Sequence, residues 1–144
     1  MINEFENKKI FVSGGTNGIG YEIAKNFLEK KAKIYVLGRK NKFKKEKNLV
    51  VLNYDILKDK YLKKLIVKIK KIDFDIVIHS LGGSLKLDNF NDLDKTAKNW
   101  KLNAGIPILL NEYFLKKMKK KKFGRVVHIS SASTENLDGR LPYI

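Results

Sequence analysis

Ser13-Gly14-Gly15-Thr16-Asn17-Gly18-Ile19-Gly20 follows the apolar run Ile10-Phe11-Val12 and precedes a stretch with helical spacing, Tyr21 to Lys30. A glycine-rich turn leading from a buried strand into a helix suits a phosphate. Amide N–H groups at the helix start point outward, and the helix dipole favours an anion there. Gly14, Gly18 and Gly20 stand at the spacing G-x-x-x-G-x-G, not the G-x-G-x-x-G of the commoner dinucleotide fingerprint. Glycine serves where a Cβ would obstruct the turn, the approach of a pyrophosphate or the packing of helix on strand. Glycines also cluster in ordinary turns; the position of this loop, one strand into the chain, is what makes it informative.

Outward from that loop, short apolar runs alternate with longer helix-patterned stretches. Strands are expected at Ile10–Ser13, Lys33–Leu37, Leu49–Asn53, Phe74–His79 and Arg125–Ser130. They are continuous in Ile, Val and Leu, as in a sheet covered on both faces. Ile23, Ala24, Phe27 and Leu28 repeat at helical spacing, as do Leu62, Leu65, Ile66 and Ile69 with lysines on the opposite side. A last helix is expected over about Leu102 to Lys121, with Pro107 near its start or at a local kink. Such alternation predicts an α/β fold: a Rossmann-type doubly wound parallel sheet with right-handed crossovers and strand order 3-2-1-4-5. Ligands of such sheets sit beyond the carboxyl ends of the strands, at the topological switch point.

The chain has 144 residues, enough for one core, and no linker or repeat divides it. It has no cysteine, which removes disulfides and thiolate chemistry. No constellation of metal ligands is expected. No run reaches the length of a membrane span and the N-terminus is polar, so the expectation is a cytoplasmic protein without a membrane partner. A formal charge of +16 raises the question of nucleic acid. The lysines, however, are spread over every helix-like segment, and arginine occurs only at Arg39, Arg125 and Arg140. Arginine forks and interleaved aromatics are the usual signs of such a site, so no nucleic-acid partner is expected. The run Lys116 to Lys122, broken by Met118, suits a helix C-terminus.

Taken together, these residues resemble the N-terminal, cofactor-binding part of the short-chain dehydrogenase/reductase family. The glycine loop is similar to that family's T-G-x-x-x-G-I-G, with Ser13 in place of threonine. Asp55, in Asn53-Tyr54-Asp55-Ile56, matches its acidic residue against adenine. His79-Ser80-Leu81-Gly82 stands where the family usually shows N-N-A-G; the glycine is kept and both asparagines are replaced. His79 reads as a packed strand-end residue rather than an acid or base. Asn103 matches the helix asparagine of the catalytic tetrad, Ser131 the serine that follows the fifth strand, and Tyr143 the start of Y-x-x-x-K. The lysine of that motif would fall past Ile144, so residues 1–144 are read as one NAD(P)-binding Rossmann domain, C-terminally incomplete and inactive by itself.

The resemblance implies hydride transfer between a nicotinamide and a carbonyl or alcohol carbon of a small molecule. Asn103, Ser131 and Tyr143 would be catalytic. Gly14, Thr16, Asn17, Gly18, Ile19, Gly20, Arg39, Asp55 and Gly82 would hold the cofactor. An acid at the end of the second strand selects NAD through the ribose hydroxyls. Here Val36-Leu37-Gly38-Arg39-Lys40 carries none, and no acid occurs from Ala32 until Glu46. Arg39 offers a planar fork for a 2′-phosphate, so NADP is expected over NAD. Reduction of a 3-oxoacyl thioester resembles the broadest family role, and no residue here selects it. A non-catalytic NADP-binding sensor is the alternative. A homo-oligomer paired through the Asn103 helix is compatible with the family's habit.

Overall fold

A computed structural model of the chain describes residues 3–87 and 91–131. Its elements are β1 (Lys9–Ser13), α1 (Gly18–Glu29), β2 (Lys33–Gly38), β3 (Leu49–Asn53), α2 (Asp59–Ile69), β4 (Ile76–His79), α3 (Leu93–Trp100), a π-helical turn (Lys101–Gly105), α4 (Ile106–Lys120) and β5 (Arg125–His128). The five strands form one parallel sheet in the order β3-β2-β1-β4-β5.

Alternate side chains of the central strands feed two cores, because successive residues of a strand face opposite sides. Ile10, Val12, Ile34, Val36 and Ile78 meet Ala24 on one face, with Ile23, Phe27 and Leu28 of α1 packed around them. Phe11, Tyr35, Leu37 and Val77 meet Leu62 and Leu65 of α2 and Leu110 and Phe114 of α4 on the other. Each fully buried side chain of this kind contributes roughly 1.5–3 kcal/mol over its exposed state. The order reverses at β1, whose neighbours are β2 and β4, and the loops that follow these strands diverge there into a cleft.

Several boundaries differ from the sequence expectation: β1 begins one residue earlier at Lys9, β2 runs on to Gly38, and β5 ends at His128 rather than Ser130. β4 begins at Ile76, not Phe74: Phe74 is fully turned into the core, and Asp75 caps the strand entry. Its carboxylate accepts the Lys9 N–H at 2.8 Å and pairs with Lys121 Nζ at 2.7 Å. The expected last helix is the second half of a longer run, Leu93 to Lys120, made of α3, the π turn and α4. Asp92 starts it, accepting the Lys95 N–H at 2.9 Å. Pro107 lies inside this run, at the second residue of α4. A proline removes one backbone donor and crowds the carbonyl a turn before it. The preceding turn is widened accordingly, the Ile106 N–H reaching the Lys101 carbonyl in an i to i+5 bond.

Candidate functional site

A cleft of about 930 Å³ opens beyond the carboxyl ends of β1, β2, β3 and β4. Six of the residues expected to hold a cofactor line it: Gly14, Thr16, Asn17, Arg39, Asp55 and Gly82. Gly18, Ile19 and Gly20 do not line it; they form the first turn of α1 beside it. Ile19 points outward at 64% exposure, and Gly20 is buried under the loop. The cleft walls carry Arg39, Lys40, Lys42 and Lys86 against one acid, Asp55. That balance favours an anionic ligand.

The glycine loop is held from both sides. The Gly15 N–H donates to the Leu37 carbonyl at 3.1 Å, and the Ser80 N–H to the Ser13 carbonyl at 3.0 Å. Thr16 is buried against Gly38, where a Cβ would overlap its side chain. At the mouth of α1, Asn17 occupies the cap position without a side-chain bond to the helix amides, and the first turn has no acid. Those amides have no intrahelical acceptor. Gly18 sits at φ +52° with no atom within 4 Å of the place a Cβ would take. An anion fits this open mouth without displacing a protein group.

The other wall is set by two asparagines. Asn103, on the π turn, accepts the Gly83 N–H at Oδ1 (3.0 Å), and its Nδ2 lies 3.0 Å from the Gly83 carbonyl and 2.8 Å from Asn99 Oδ1. Asn99 is 4% exposed and donates to the Gly83 and Ser84 carbonyls at 3.1 and 2.7 Å. The π geometry thus turns Asn103 toward the loop after β4, a common use of such turns at functional sites. Ser131 is half-buried, just past the end of β5. Tyr143 lies outside the described residues.

His79 is buried at the end of β4, as the sequence led one to expect. Its partners assign the tautomer. The Ser13 hydroxyl donates to Nδ1 at 3.4 Å, Nε2–H donates to Asn111 Oδ1 at 2.8 Å, and Asn111 Nδ2 donates to His128 Nε2 at 3.1 Å. The two imidazoles stack at 4.6 Å. Burial pushes the His79 imidazole down to about 4; the bond to Asn111 opposes this and the charge of His128 adds to it. A neutral ring fits a chain of bonds that joins the ends of β1, β4 and β5.

The family model for short chain dehydrogenase matches residues 8–143. The chain belongs to the short chain dehydrogenase family. It is 29% identical to an uncharacterized oxidoreductase of Bacillus subtilis (strain 168), YvrD, over 99% of this chain and 59% of that protein. It is 27% identical to an uncharacterized oxidoreductase of Thermotoga maritima over 88% of this chain and 55% of that protein. The chain therefore spans little more than half the length of the curated relatives it matches. Among solved structures, a 4-hydroxyisoleucine dehydrogenase complexed with NADH is 26% identical, with a TM-score of 0.80 over 92% of this chain and 58% of that one. A short chain dehydrogenase of Leptospira borgpetersenii with bound NAD+ gives 0.82 over 96% of this chain and 57% of that one; at 21% identity the likeness is one of fold.

Within this short chain dehydrogenase frame, two contributors lie outside the site residues expected from the sequence, Asn99 and Lys42. Asn99 would have been found from its place one helical turn before Asn103. Lys42 touches Asn17 only because of the path of the loop after β2, which no local pattern reveals.

Proposed function

We propose that the chain is the cofactor-binding part of an NADP-dependent short-chain oxidoreductase, acting between a nicotinamide and the carbonyl or alcohol carbon of a small molecule. The observation that carries this reading is the cation-walled cleft at the switch point, bounded by the uncapped start of α1 and by Arg39. The α1 amides would hold the pyrophosphate, Asp55 the adenine and Arg39 a 2′-phosphate, with Gly82 bordering the cofactor on the side of Asn103. The relatives of solved structure named above carry NAD+ or NADH. The preference for NADP stands on Arg39 and on the lack of an acid between Ala32 and Glu46.

When bound, the nicotinamide supplies or takes up the hydride. The chain's residues manage the oxygen and its proton. The Tyr143 phenol gives its proton to the carbonyl oxygen during reduction, and the Ser131 hydroxyl donates to that oxygen and fixes its place. A phenol near its ordinary pKa of about 10 is a weak base at neutrality, so the family's lysine four residues beyond Tyr143 is required to favour the phenolate. Asn103 and Asn99 keep the Gly83-Ser84 loop in register with the strand ends.

Steady-state assays of the full-length protein test this, with NADPH and a panel of simple ketones and 3-oxoacyl thioesters. Turnover with at least one carbonyl is expected, and it should fall by roughly 10² or more in Tyr143→Phe. Full activity of that variant would contradict the assignment.

A further inference from the structure

Lys42 carries its ammonium back to the glycine loop. Its Nζ donates to Asn17 Oδ1 at 2.5 Å across 25 residues of sequence. The turn that delivers it is locally built. Asn41 Oδ1 accepts the Phe43 N–H at 2.9 Å, and Asn41 Nδ2 donates to the Phe43 carbonyl at 3.3 Å. The Phe43 ring packs on Tyr21 of α1, centroids 4.5 Å apart, at the margin of the α1 core. Lys42 is therefore anchored on the same helix whose mouth is uncapped.

Arg39, at the start of this turn, lines the same cleft as Lys42 and Asn17. Among the described residues neither Arg39 nor Lys42 has a carboxylate within 4.0 Å, whereas Lys31, Lys95, Lys101, Lys116, Lys117 and Lys121 each do. The holder of Lys42 is a neutral amide, which orients the ammonium and leaves its charge uncompensated. Two of its three donors stay available.

We propose that Lys42 is a second cofactor-specificity residue: with Arg39 it brackets the phosphate monoester on the adenosine ribose of NADP(H). This rests on the dinucleotide reading of the cleft. A phosphate monoester carries about −1.5 to −2 charges at neutral pH, more than one guanidinium offsets. Lys42 supplies the second cation from the side of the glycine loop, where Asn17 holds it.

The test is fluorescence titration of the full-length protein with NADPH and NADH at one fixed salt concentration, for the wild type, Lys42→Met and Lys42→Arg. Lys42 is exposed, so an unchanged melting temperature is expected of both variants. Lys42→Met should lose roughly 10- to 100-fold in NADPH affinity, the worth of one charge-assisted bond, with NADH affinity unchanged. Lys42→Arg should keep the wild-type selectivity. A wild type selective for NADPH whose Lys42→Met variant keeps that selectivity overturns the role of Lys42 alone. Equal losses of NADPH and NADH in Lys42→Met would overturn it as well. A wild type that favours NADH overturns the NADP reading itself.

Discussion

Gly14 and Ser80 approach so closely that a Cβ on residue 14 would lie 2.6 Å from the Ser80 carbonyl oxygen. The glycine loop after β1 and the loop after β4 are thus packed backbone to backbone, and Gly14 also holds φ +71°. Gly14→Ala should cost about 1–2 kcal/mol in backbone strain and a further 1–3 kcal/mol or so from overpacking. Gly18→Ala shares only the backbone strain, because its Cβ would enter open space. Urea denaturation should rank Gly14→Ala well below Gly18→Ala in stability. Titration with NADPH should show Gly18→Ala folded and weakened in binding, its new methyl standing where the pyrophosphate is placed.

Stability should depend on pH through His79. Its folded pKa of about 4 lies below the ordinary value of 6.5. The unfolded chain therefore binds the extra proton first as pH falls, and stability present above about pH 6.5 is lost progressively down to about pH 4. The effect is on the order of 3 kcal/mol. Thermal melts between pH 4.5 and 7.5 should slope upward for the wild type and flatten in His79→Asn.

Removing Asn99 should loosen the wall made by Gly83 and Ser84. Asn99→Ala leaves the Ser84 carbonyl without its donor, at roughly 1–3 kcal/mol where water cannot replace it, while the Gly83 carbonyl keeps Asn103 Nδ2 alone. Hydrogen exchange at Gly83 should quicken, because the shared Asn103 contact weakens with its neighbour.

Catalysis should be separable from binding. In the full-length protein, Ser131→Ala should act mainly on turnover and leave NADPH affinity nearly intact, since the hydroxyl is assigned to the substrate oxygen. A parallel drop in cofactor affinity would assign Ser131 to the dinucleotide instead.

The sheet was legible because the strands carry unbroken apolar runs, Ile34–Leu37 and Leu49–Leu52 among them, and the glycine loop marks where the first helix begins. Gly14, Thr16, Asn17, Arg39, Asp55 and Gly82 could be placed at the cleft from sequence because each follows a strand end. The helix over Leu93–Trp100 was hidden by its few apolar residues, although Asp92 with Lys95 in the first turn is a readable cap. Pro107 pointed to a helix start or a kink, and the structure resolves this as a π turn inside a continuous run. The contacts of Lys42 with Asn17 and of Asn111 with both histidines join residues far apart in sequence. They depend on loop path and helix rotation, which periodicity does not encode. In the run from Lys116 to Lys122, three lysines answer acids on neighbouring turns and loops: Glu112, Asp73 and Asp75.

Calorimetric titration of the full-length protein with NADPH and, in the same buffer, NADH tests the nature of the cleft most directly. One NADPH per chain is expected, bound roughly tenfold or more tightly than NADH, a margin of about 1.4 kcal/mol that Arg39→Asp removes. Binding of neither nucleotide, or NADH bound as tightly as NADPH by the wild type, would contradict it.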